Sequence, residues 1–206
     1  MGKKEQYLLE LRPIYNNFIS IGSSQELSLY LVKYSALPGR RANLELASAF
    51  KDLIREVSIL NPERIFQLLL NLVSYSPEVA PTNNPKEFLP FCGIWALGSI
   101  GTSCPQFFEN CVQVLYESCL DVRWRIREAM AKGLSILFDT FPIEIYQLFL
   151  EWIKISKNFK KFLIQRAIVA SLAESLSLNQ QPQGNQALEL HKITITSIYG
   201  LDDNQR

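Results

Sequence analysis

Apolar residues recur at spacings of three and four along most of the chain, which is typical of amphipathic helices. Leu8, Leu11, Tyr15 and Phe18 show this spacing and predict a first helix from Lys4 to Ser20, in which Pro13 favours a kink or a break. The same pattern predicts further helices over about 24–35, 41–58, 62–76, 87–101, 105–119, 122–139, 142–156 and 159–178.

Turn and capping residues separate these helices. Asn61 and Pro62 together predict an N-cap followed by a first helical turn. Residues 76–86 contain three prolines and predict a long irregular loop. The segment from Asn185 to Tyr199 is ambiguous, because its Ile and Thr residues alternate as in a strand. Its repeat position favours a helix, which we predict there.

Prolines open successive helical segments at a nearly regular interval. Pro62, Pro105, Pro142 and Pro182 are 43, 37 and 40 residues apart, and a second helix lies in each interval. A period near 40 residues with two helices per period is typical of an α-solenoid. The chain therefore predicts one repeat domain over 1–206, with an N-terminal pair at 3–36, repeats at about 40–76, 87–119, 121–156 and 159–199, and a disordered tail at 200–206.

The predicted core lies between two helix layers. Small residues let neighbouring helices approach closely, and large apolar residues fill the space between them. The small residues are Gly93, Ala96, Ala129, Ala131, Gly133 and Ala170. The large side chains that we expect to be buried are Trp95, Leu97, Leu134, Leu137, Phe149 and Leu172.

Two segments carry a resemblance to HEAT repeats, whose first helices follow roughly the pattern V-R-x-x-A-x-x-A-L-G. The residues from Ile126 to Ser135 read IREAMAKGLS, and those from Gly93 to Gly98 read GIWALG. HEAT repeats also tend to pair an Asp in the turn with an Arg six residues later, as Asp121 and Arg127 are spaced here. The resemblance implies an all-α, right-handed HEAT-like α-α superhelix of about five helix pairs.

Composition and charge exclude several classes of function. The 206 residues carry a net charge of +1, which disfavours a dedicated nucleic-acid binder. Secretory, membrane-spanning and phosphate-binding motifs are missing, so we expect a cytoplasmic protein with no membrane contact. One His and four Cys without a CxxC pair predict neither a metal site nor a cofactor nor catalysis. The cysteines are expected to be buried, reduced side chains.

Positive charge concentrates in the second half of the chain. From Asp121 to Ala170 there are nine Lys or Arg residues against five acidic ones. The candidate binding site is a basic edge formed by Arg123, Arg125, Lys157, Lys160 and Lys161. Such an edge would attract an acidic peptide or a phosphate group. The alternative interpretation is a solvated helix edge with Trp124 buried between repeats.

A second candidate site is a polar stripe on the second helices of the repeats. Gln67, Asn110 and Gln147 each lie five residues after the proline that opens their helix. Second helices line the concave surface of a solenoid, so the stripe would face a bound partner there. The same residues would also suit the plain exposed face of amphipathic helices.

These observations favour a non-catalytic scaffold that binds another protein, with an acidic segment as one candidate ligand. Two alternatives stay open. One is a nucleic-acid-binding protein similar to the HEAT-like DNA glycosylases, for which Trp124, Trp152 and Asp139 are available. The other is a HEAT-type phycobilin lyase or its partner subunit, which rests on repeat type and chain length alone. The sequence leaves the oligomeric state open.

Overall fold

The computed structural model describes residues 2–155, 158–176 and 183–199, and within them the chain is helical without a β-strand. These residues form α1 (Lys3–Ile21), α2 (Gln25–Lys33), α3 (Leu44–Val57), α4 (Pro62–Val73), α5 (Phe88–Ser103), α6 (Phe108–Ser118), α7 (Trp124–Thr140), α8 (Pro142–Ile155), α9 (Asn158–Glu174) and α10 (Gln183–Tyr199). Short 3₁₀ helices at Pro85–Glu87 and Pro105–Phe107 precede α5 and α6. The all-α prediction is confirmed.

The helix ends follow local chemistry. The side chain of Asn43 accepts a hydrogen bond from the Leu46 amide at 3.1 Å, so α3 begins three residues after the predicted start. Pro62 occupies the first turn of α4 as predicted. Helix α1 runs through Pro13 as a single element and ends at Gly22 in the left-handed region. The helix predicted at the C-terminal end is α10, whereas the predicted disordered tail lies outside the described residues.

The odd-numbered helices pack in chain order, α1 on α3, α3 on α5, α5 on α7, and α7 on α9. The contact between α5 and α7 is the most extensive, because two glycines meet there. A Cβ atom on Gly98 would lie only 2.3 Å from the carbonyl oxygen of Gly133. Gly133 was among the small residues predicted to allow close approach, and Gly98 completes the crossing.

Helices α4, α6 and α8 pack against this row, and aromatic pairs connect each one to the next. Phe66 of α4 stacks on Phe107 at 4.4 Å between ring centroids. Tyr116 of α6 contacts Trp152 of α8 at 4.8 Å. Such ring pairs add directional attraction to apolar burial, here between α4 and the 3₁₀ turn before α6 and between α6 and α8.

The core prediction is confirmed for five of its six residues. Leu97, Leu134, Leu137, Phe149 and Leu172 are buried. Trp95 is only half-buried, and the ammonium group of Lys132 lies over its ring at 5.4 Å.

All four cysteines are buried and free, and burial raises the pKa of the Cys111 and Cys119 thiols to about 12.

Candidate partner-binding surfaces

Arg123 of the predicted basic edge is buried, with 3% of its side chain exposed. Its guanidinium group forms a two-atom contact with the Asp121 carboxylate, at 3.0 Å from Nε and 2.7 Å from Nη2. Nη1 donates to the backbone carbonyls of Tyr75 and Ala80 at 2.9 and 3.0 Å. Arg123 thus fastens the segment before α7 to the long loop before α5.

Arg125 is buried as well and reaches still further along the chain. It donates to the Glu87 carboxylate at 3.2 Å and to the Gly39 carbonyl at 2.7 Å. Glu87 is fully buried and also accepts the Asn83 amide at 2.7 Å. The carboxylate and the guanidinium compensate each other's charge, which a buried ion requires. Arg125 therefore joins the first turn of α7 to the segments that precede α3 and α5.

The assumption that the basic edge is exposed is wrong for Arg123 and Arg125, because internal carboxylates and carbonyls occupy both guanidinium groups. Lys157 lies outside the described residues. Lys160 and Lys161 belong to α9, but their side chains are also outside the described part of the chain. Partner binding at this edge stays a prediction.

Asp121 and Arg127 lie close enough to bond, as their spacing predicts. Arg127 donates to the backbone carbonyl of Asp121 at 2.5 Å, however, and not to the carboxylate. The carboxylate is taken by Arg123, which lies closer along the chain. Trp124 is not part of the core, since 42% of it is exposed and the Arg125 guanidinium lies 4.4 Å from its ring centroid.

The second candidate site, the polar stripe, is exposed at each of its positions. Gln67 lies on α4, Asn110 on α6 and Gln147 on α8, and the structure places all three side chains in solvent. Gln67 donates to Asn71 one turn later at 3.0 Å. These three helices each pack against the row of odd-numbered helices, α4 and α6 on α5 and α8 on α7.

Sequence reasoning missed the charge of this surface. Helices α4, α6 and α8 carry five Glu residues and only two basic residues, Arg64 and Lys154. All five carboxylates are exposed, and none of them forms an ion pair with a described residue: Glu63, Glu109, Glu117, Glu144 and Glu151. Arg64 is already engaged, because it donates to the Phe18 carbonyl at 3.1 Å. We call this surface the acidic face.

A shallow groove opens on the acidic face between α4 and α6. Its apolar lining comes from Val73, Ile94, Val114 and Leu120. Glu117 lies at the groove and accepts a hydrogen bond from Gln113 at 2.7 Å. Asp121 and Arg123 also line the groove, but they form an ion pair with each other, so Glu117 is the carboxylate left for a ligand. Such a groove suits a long side chain that has an aliphatic stem and a cationic end.

The remaining candidate residues do not form a common site. Trp152 is buried against Phe149 and Tyr116, whereas Asp139 accepts the amide of Leu176 at 3.2 Å. Among the described residues, no three His, Cys, Asp or Glu side chains cluster as metal ligands would. No helix in that part of the chain is long and apolar enough to cross a membrane.

Comparison with family models, with curated proteins and with solved structures gives no match. The functional assignment therefore rests on the contacts and charges of this chain.

Proposed function

We propose that the protein is a non-catalytic helical-repeat scaffold of HEAT type, with about five helix pairs in a right-handed stack, that binds a partner protein on its acidic face. The consecutive packing of α1, α3, α5, α7 and α9 supports the repeat arrangement. In such an array each helix pair buries its apolar side against its neighbours, and the remaining helix faces form an extended surface.

The observation that carries the binding role is the unpaired charge on α4, α6 and α8. Five carboxylates lie exposed on these three helices, which also carry the exposed amides of the polar stripe. Like charges gathered on one surface repel each other, and a cationic partner removes that repulsion on binding. The amides of Gln67, Asn110 and Gln147 supply hydrogen bonds that fix the orientation of the partner.

The sign of this charge determines the kind of partner. An acidic peptide or a nucleic-acid backbone would be repelled here, so the acidic ligand considered from the sequence does not fit this face. A partner segment rich in Lys or Arg fits it, because aliphatic stems can occupy the groove between α4 and α6 while the cationic ends meet Glu117 and its neighbours.

The test compares two charge-reversal variants in quantitative affinity capture from source-cell extract. Glu109→Lys combined with Glu151→Lys reverses charge on the acidic face. Glu45→Lys is the control, because Glu45 is also exposed in the first turn of its helix, as Glu109 is. We expect one partner to be captured by the wild type and the control and to be lost from the double variant.

The captured partner is then produced in pure form, and its affinity is measured at rising salt. The proposal requires that affinity falls with salt and drops at least about tenfold in the double variant, since two favourable charge contacts become repulsive. Equal affinity of the wild type and the double variant for the purified partner would refute the acidic face as the binding site.

A further inference from the structure

A cleft separates α7 from α9 on a part of the surface that the proposed function does not use. Its floor is formed by small or apolar residues: Met130, Ala131, Leu163, Ala167 and Ala170. Four charged residues surround this floor: Arg127, Glu128, Arg166 and Glu174. The alanines leave the space open, because larger side chains at these positions would fill the gap between the helices.

The two arginines of the cleft are incompletely satisfied. Arg127 donates through Nη1 to the Asp121 carbonyl, but its Nε is buried without a hydrogen-bond partner. Arg166 is exposed, and neither arginine forms an ion pair with any described residue. Burial, and then the charge of Arg166, lowers the pKa of the Arg127 guanidinium. Both arginines line the same cleft, so the two cations repel each other.

The carboxylates of the cleft do not cancel this charge locally. Glu174 is held by Lys132 at 2.8 Å, so its charge is already compensated. Glu128 lines the cleft but lies beyond ion-pair distance of both arginines in the described structure. The positive charge of the two arginines thus has no ion-pair partner among the described residues.

We propose that Arg127 and Arg166 form an oxyanion-binding site, which takes a phosphate or carboxylate group whose apolar attachment lies on the alanine floor. A guanidinium group presents paired N–H donors that match the oxygens of either anion. The bound anion would accept hydrogen bonds from both guanidinium groups and remove the repulsion between the two arginines. This site is independent of the acidic face, and the proposed function can fail without affecting it.

The experiment is a titration of the whole chain with inorganic phosphate and, separately, with acetate, at constant ionic strength adjusted with chloride. Two-dimensional ¹H–¹⁵N NMR follows the Nε–H resonances of Arg127 and Arg166. We expect saturable shifts of both resonances with at least one of the anions. Saturation with phosphate alone identifies a phosphate site, and saturation with both anions identifies a general oxyanion site.

Two variants and a control separate this site from unspecific anion binding. Arg166→Gln removes an exposed side chain without a described partner, so it should keep the fold and weaken binding about tenfold or more. Arg127→Lys keeps the charge but removes Nε, and it should weaken binding similarly. Arg55→Gln, at another exposed helical arginine, should leave the affinity unchanged. The proposal is overturned if neither anion gives saturable shifts, or if Arg166→Gln and Arg55→Gln behave alike.

Discussion

Replacement of Gly98 by alanine tests the closest contact of the fold. The added Cβ would lie 2.3 Å from the Gly133 carbonyl oxygen and 2.9 Å from the Gly133 Cα. The obstructing atoms belong to a helix backbone, so α5 and α7 must separate. Forced overpacking lowers the free energy of unfolding by about 3 kcal/mol, the upper end of its usual range. Gly→Ala within a helix raises it by about 1 kcal/mol, because alanine has the higher helix propensity. We expect a net loss of about 2 kcal/mol.

Gly101→Ala is the matched control, since Gly101 lies in the same helix and nearly one turn later. The nearest atom to its added Cβ would be a terminal methyl carbon of Leu137 at 3.0 Å, which can shift. Stability is measured by urea and thermal denaturation followed by circular dichroism. Gly98→Ala should lower the Tm by about 4–8 °C, whereas Gly101→Ala should change stability by less than about 1 kcal/mol. If Gly98→Ala is as stable as Gly101→Ala, the two helices are not in backbone contact.

Three other outcomes follow from buried groups. Leu134→Ala should lower the free energy of unfolding by about 2–5 kcal/mol in urea titrations by leaving a cavity, and a loss below about 0.5 kcal/mol would contradict its burial. Arg125→Ala should cost about 3–5 kcal/mol because Glu87 becomes an uncompensated buried carboxylate, and adding Glu87→Gln should recover part of that loss in a double-mutant cycle. The native thiols should resist thiol reagents at pH 8 until the chain unfolds. Because burial raises the pKa values of Cys111 and Cys119, the contribution of these two thiols to stability is complete below the unfolded thiol pKa of about 8.5 and declines as the pH rises toward about 12. Free reaction of the native protein at pH 8 would show that these thiols are accessible.

The helices and most of the core were predictable because their signals are local. Apolar spacing located the helices, and Pro62 marked the first turn of α4. The cap at Asn43 was missed, so the predicted start of α3 lies three residues too early. Leu134 and Leu137 could be assigned to the core from the pattern of their own helix. The partial exposure of Trp95 could not be predicted from the apolar spacing of α5, since it depends on how neighbouring helices pack against α5.

The burial of Arg123 and Arg125 was not predictable, because their partners lie far away along the chain. Arg125 reaches the Gly39 carbonyl 86 residues earlier, and Arg123 reaches Tyr75 and Ala80 in an irregular loop. The backbone carbonyls that accept hydrogen bonds from these arginines cannot be recognised in a sequence. A run of basic residues is therefore interpreted as an exposed patch. The acidic face was detectable in principle, since its five Glu residues lie on the helices that carry the polar stripe.

The link from Arg125 to Gly39 has a consequence for how the molecule opens. In an array whose units touch only their neighbours, the ends can fray while the middle stays folded. Here the Arg125 guanidinium group, in the first turn of α7, contacts the segments before α3 and α5, so local opening before α3 also disturbs α5 and α7. The amides of α3, α5 and α7 should therefore exchange with solvent hydrogen at similar rates, as one cooperative unit. Arg125→Ala should split that unit, with the protection of α3 falling first.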